Sequence, residues 1–135
     1  MENLEGNLKP KLNISNENIS GEKIIEDNEK KLIAKKSIER AFSLLNERQL
    51  ITLKMRLGIK PYKKRHTLQE IAEKFGVTIE TTRKDQIHAI VILNQSLHKD
   101  FKKAGYDNLD INISWRNNGI DNILTLIENV FPELL

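Results

Sequence analysis

Seven consecutive residues, Thr78-Ile79-Glu80-Thr81-Thr82-Arg83-Lys84, bring together side chains that can touch a nucleic acid. Glu80 can accept from cytosine N4, Arg83 and Lys84 can reach a guanine edge or a phosphate, and Ile79 can touch a thymine methyl. Thr82 belongs to the same set by position. Thr78, like Thr67 eleven residues earlier, can hold a phosphate through its hydroxyl or through N–H groups at a helix start. Each of these residues also has a plainer role. A carboxylate in a first helical turn suits the helix dipole, and threonines at these positions serve as N-caps. The nucleic-acid chemistry requires that the side chains stand on the exposed face of a helix whose start enters the major groove.

The flanking residues supply such a helix. Leu68, Ile71, Ala72 and Phe75 recur at i, i+3, i+4 and i+7, the pattern of a helix with one apolar face. Thr67 caps it, and Gly76 follows where the chain must adopt a left-handed conformation to stop. Val77 is a buried-type residue in the turn. Thr78 then caps a second helix, expected to run to about His98. Helix, short glycine turn and capped helix make a helix-turn-helix. Upstream, an apolar pattern from about Glu22 to Leu45 predicts one helix, and Glu47 to Leu57 a second, with Asn46 between them as a cap and Gly58 as the stop. Between these and the motif lies a basic loop, Lys60-Pro61-Tyr62-Lys63-Lys64-Arg65-His66, suited to sequence-independent phosphate attraction through Lys63, Lys64 and Arg65. A solvated loop is the bland alternative.

Charge is unevenly distributed. Residues 1–53 hold nine Lys/Arg and nine Asp/Glu; residues 54–103 hold twelve and five, net +7; residues 104–135 hold one and five, net −4. The positive block coincides with the helix-turn-helix, as expected of a phosphate-binding module.

Several stretches together resemble region 4 of bacterial sigma factors, the domain that reads the promoter −35 element. They are Leu45-Asn46-Glu47-Arg48, then Leu53-Lys54-Met55-Arg56-Leu57-Gly58-Ile59, then Thr67-Leu68-Gln69-Glu70-Ile71, then Gly76-Val77-Thr78. The resemblance covers residues 37–97. It implies a helical fold, −35-type DNA readout at the start of the second motif helix, and docking of the 37–57 helices on the β flap of RNA polymerase. Phe42, Leu45 and Leu53 are the partner-binding candidates on those helices. Glu80 matches a base-contacting position of the family, and Arg83 one near the DNA backbone. Arg48 and Arg56 match positions near DNA or polymerase. The chain departs from the pattern at Asn46, where the family has proline, at Ile79, where many members have a DNA-contacting arginine, and at Asp85, where the family has an apolar core residue.

The rest of the chain bounds the reading. Residues 1–21 are polar and expected to form a flexible tail; residues 22–100 form the helix-turn-helix domain; residues 101–135 form an acidic extension. In that extension Leu109, Ile111, Ile113 and Trp115 alternate with polar residues, a short strand signature. Ile120, Ile123, Leu124, Ile127, Val130, Phe131 and Leu134 make an apolar helical stripe that Pro132 ends or frays. The stripe can fold back on the domain, form a homodimer, or bind a second subunit; Ile127 and Phe131 are its partner-binding candidates. The fold class expected is mainly α. With no cysteine, no run of about 18 apolar residues and no signal-peptide pattern, a cytoplasmic protein without disulfides or thiolate metal sites is expected. His66, His88 and His98 lack metal-ligand spacing, and no Gly-rich phosphate loop, GxSxG or HExxH occurs, so no catalytic residue and no cofactor is assigned. Only seven aromatics occur, against the aromatic surfaces that melted bases require. The expectation is a transcription regulator that binds double-stranded promoter DNA and RNA polymerase while another protein supplies melting. Two alternatives stand beside it: a stand-alone dimeric helix-turn-helix repressor or activator, and an interaction module that keeps the fold but has lost readout.

Overall fold

Capping residues and glycine stops bound the first three helices and the start of the fourth among the five helices of the described residues. The computed structural model describes residues 27–106 and 119–135. Helix α1 spans Asn28–Leu44, α2 Glu47–Leu57, α3 Leu68–Phe75, α4 Ile79–Lys103 and α5 Gly119–Val130, followed by a short 3-10 turn, Pro132–Leu134. The described residues are mainly helical. The expected N-terminal tail, residues 22–26 and the strand signature around Trp115 lie outside them. Asp27 caps α1 through its carboxylate. Asn46 and Gln49, and likewise Thr67 and Glu70, form reciprocal capping boxes at the starts of α2 and α3. Gly58 and Gly76 end those two helices in the left-handed region.

Two helix ends differ from expectation or sharpen it. Helix α4 continues past His98 to Lys103, because Leu93, Leu97 and Phe101 keep its buried face going at four-residue steps. Helix α5 stops before Phe131, since a residue preceding proline is driven from helical geometry.

The core is organised around α4. Helix α1 runs antiparallel to it: Glu29 meets Tyr106 at one end, and Ser37 and Ser96 exchange side-chain-to-carbonyl hydrogen bonds further along. Between them a polar cluster is closed by Asp100, which accepts from Ser37 and Arg40. Burial pushes the Asp100 carboxyl up, but those two donors outweigh it and hold the group below its ordinary value. Ala34, Ile38 and Ala41 from α1, Leu53 and Leu57 from α2, and Ala89, Ile90, Leu93 and Leu97 from α4 share one apolar cluster with Ile120, Ile123, Leu126, Ile127 and Val130 of α5.

Helix α5 is therefore part of the core of its own chain. This corrects the assignment of Ile127, Leu53 and Leu45 to partner surfaces: all three are buried. The apolar stripe also loses its claim as a dimer surface, since its face is already covered by α1 and α2. Phe42 and Phe131 are half-buried against the same cluster, and the Lys35 ammonium stands 4.9 Å from the Phe131 ring centre.

The end of α2 makes a tight turn. Gly58 sits at φ 71°, and a Cβ there would come within 2.9 Å of the Lys64 and Arg65 backbone. Gly76 has a similar φ of 67° with open space around it. Gly58→Ala should therefore cost more than Gly76→Ala, roughly 1–3 kcal/mol on top of the left-handed penalty of about 1 kcal/mol that both share. Urea unfolding of the two variants measures the difference; equal losses would mean that the loop shifts freely away from Gly58.

Candidate nucleic-acid interface

The turn between α3 and α4 fixes where the seven-residue set points. The Gly76 N–H donates to the Ala72 and Glu73 carbonyls, and the Val77 N–H to Ala72. The chain thus leaves α3 within three residues, and α4 begins at Ile79. The Thr78 hydroxyl accepts from the Thr81 N–H at 3.1 Å, the N-capping bond expected of it. Behind this start, Ile71 and Ala72 of α3 are buried, and α3 packs against both α4 and α2.

From that start Ile79, Glu80, Arg83 and Lys84 face solvent. Ile79 is 37% exposed, among the few large apolar side chains so open. Glu80 and Arg83 pair with each other, one turn apart on the helix. Both are exposed, so the pair contributes little and can be exchanged for another partner at small cost. Lys84 has no ion pair among the described residues. Thr82 does not belong to this face. It is 1% exposed, and its hydroxyl donates to the Thr78 carbonyl at 3.2 Å. Its place in the expected readout set is corrected: it shares the inward stripe of α4 with Asp85, Ala89 and Leu93.

Asp85 is explained by a partner on another helix. Its carboxylate, 8% exposed, accepts from Arg48 Nε at 2.7 Å and from a second guanidinium nitrogen at 3.4 Å. A buried carboxylate is tolerated where a charge-assisted, forked donor meets it. The apolar residue expected here is thus replaced by an ion pair tying α2 to α4, and Asp85 does not by itself disable the exposed face.

Arg56 is equally engaged. Its Nε donates to Gln86 Oε1 at 2.6 Å and its Nη1 to the His66 carbonyl at 3.0 Å. Burial and the neighbouring Arg65 charge lower its pKa from the ordinary arginine value. Spacing on α2 gives neither Arg48 nor Arg56 a role, because their side-chain partners on α4 lie 37 and 30 residues away.

The basic loop is anchored rather than free. His66 N–H donates to Met55 at 2.8 Å, Tyr62 N–H to Ile59 at 2.9 Å, and Lys60 N–H to Leu134 at 2.8 Å. Arg65 donates to the Arg56 carbonyl and pairs with Asp121 of α5 at 2.8 Å. Lys63 and Lys64 remain exposed, with no ion pair among the described residues. Thr67 uses its hydroxyl in the capping box, and its backbone N–H holds the Glu70 carboxyl below its ordinary value. Among the described residues no group of His, Cys, Asp or Glu is placed to hold a metal ion, and no helix is long and apolar enough to cross a membrane.

Searches of protein-family models, curated proteins and solved structures find no match to this chain. The start of α4 presents an apolar, an acidic and two basic side chains, and the anchored loop carries Lys60, Lys63 and Lys64 exposed and without an ion pair among the described residues.

Proposed function

We propose that this chain is a transcription regulator that binds double-stranded DNA through a helix-turn-helix formed by α3 and α4, of the sigma region 4 type. The observation that carries the reading is the exposed set Ile79, Glu80, Arg83 and Lys84 at a capped helix start, with Lys63 and Lys64 of the preceding loop also exposed, all inside the block of net charge +7. Major-groove readers place the first turns of their second helix against base edges and use flanking cations on phosphates. In this reading Glu80, Arg83 and Lys84 address base edges or nearby phosphates, Ile79 meets a thymine methyl, and Lys63 and Lys64 supply attraction without sequence preference. The hydroxyls of Thr67 and Thr78 are occupied in caps, so these residues help by fixing the helix starts rather than by holding phosphate themselves.

RNA polymerase is the protein partner that the sequence resemblance implies. The buried state of Leu45 and Leu53 leaves the half-buried Phe42 and exposed positions of α1 and α2 to make such a contact. Promoter melting falls to another protein. The burial of the α5 stripe weighs against the stand-alone dimer.

The experiment is co-purification with bacterial core RNA polymerase, run alongside binding to fluorescent DNA duplexes at stepped salt. Salt-sensitive duplex binding together with polymerase association is the expected outcome. Duplex binding without polymerase makes the chain an ordinary helix-turn-helix regulator. Polymerase association without duplex binding makes it an interaction module and overturns the DNA reading.

A further inference from the structure

Two parts of the proposed interface come from segments distant in sequence. The loop lysines assigned to phosphate lie at positions 63 and 64, and the readout set at positions 79–84. For both to act on one duplex, the loop must stand at a fixed distance from the start of α4. The direct link between α3 and the loop is the Thr67 cap, which orients α3 but leaves the loop's approach to α4 unset.

One side chain spans the gap. Arg56, on the last turn of α2, donates to Gln86 on α4 and to the His66 carbonyl at the end of the loop. Its own carbonyl accepts from Arg65 Nε at 3.2 Å. Loop, α2 and α4 thus meet at a single residue, one turn below the readout set. Gly58, with the Lys64 and Arg65 backbone pressed against it, closes the same corner from behind. A guanidinium suits the task because its planar fork donates in two fixed directions at once, whereas an ammonium on a flexible stem does not hold two partners in set geometry.

We infer that Arg56 is a positioning residue for DNA recognition, holding the phosphate-attracting loop and the base-reading start of α4 in one register. The inference rests on the DNA-binding reading above. It assigns Arg56 no contact with DNA. Its contribution is to discrimination between sequences, not to overall attraction, because the loop lysines keep their charge whether or not they are aligned.

The test uses the full chain and two duplex probes: a 30-base-pair duplex enriched by the unmodified protein from a random pool, and a scrambled duplex of the same composition. Three variants are compared: Arg56→Lys, which keeps the charge; Gln86→Ala, which leaves Arg56 untouched; and Arg56→Lys with Gln86→Glu, which rebuilds a charged link to α4. Both single variants are expected to bind the enriched duplex about tenfold more weakly, the size of one lost specific contact. Affinity for the scrambled duplex and its salt slope should stay as in the unmodified protein, and the double variant should recover part of the loss. Melting temperatures of the variants separate this from unfolding, since an unfolded fraction lowers both affinities together. Equal weakening on both duplexes would overturn the inference, as would unchanged discrimination in Gln86→Ala. If the unmodified protein enriches no duplex and binds none at low salt, the DNA reading itself falls and this inference with it.

Discussion

Ile127→Asp should unfold the protein rather than alter its partners. Ile127 is fully buried at the junction of α5 with α1 and α2. The substitution removes an apolar side chain whose burial contributes about 2–3 kcal/mol and puts a carboxylate among the apolar side chains of the core. Together these cost at least about 4 kcal/mol, against a total stability of about 5–15 kcal/mol for an ordinary domain. Circular dichroism should report loss of helix across α1, α2 and α4 as well as α5, because the four share one cluster. A folded, monodisperse variant with a changed oligomeric state would mean that α5 leaves the core in solution. Glu128, on the exposed side of the same helix, gives the control: Glu128→Ala should leave both fold and oligomeric state as they are.

The largest functional effect is expected from Arg83→Ala combined with Lys84→Ala. Both side chains are exposed on the first turns of α4, and neither takes part in the core. Their removal should leave the melting temperature within about a degree or two, as surface changes do. Arg83 now pairs with Glu80, but an exposed pair is exchanged cheaply, so its charge is available to DNA. If each cation meets a phosphate or a base edge, affinity should fall by about a hundredfold. The plot of log affinity against log salt should flatten by up to about two units, at roughly 0.9 per phosphate neutralised. Fluorescence anisotropy at four salt concentrations reads both. An unchanged slope with intact fold would remove α4 from the interface and leave the loop lysines as the only route to phosphate.

Local signals made much of this legible from sequence, and long-range ones did not. The start of α4 could be read because a glycine, an apolar turn residue and a capping threonine follow one another at Gly76-Val77-Thr78, all acting within a few residues. Asn46 and Gly58 marked α2 for the same reason. Thr82 sits among exposed neighbours in sequence, yet its phase places it inward: with Asp85, Ala89 and Leu93 it repeats at three and four residues and falls on the buried stripe. Asp85 looked like a breach of the fold because its partner, Arg48, lies 37 positions earlier on another helix. Periodicity cannot report a pair of that kind. The α5 stripe was visible as a stripe, but which surface covered it depended on how α1 and α2 had already been placed.

The way α5 completes the core sets the size of any piece that could be moved to another protein. Helices α3 and α4 with the turn between them invite treatment as a cassette, cut at residues 67 and 93 and grafted elsewhere. Here the face of α1 and α2 that supports the motif is closed by side chains from beyond residue 119. The loop beside the motif is pinned by Leu134 and Asp121. A graft of the motif alone would leave its supports uncovered. The smallest transplantable unit runs from the cap of α1 to the 3-10 turn that follows α5, because α1, α2, α4 and α5 share a core.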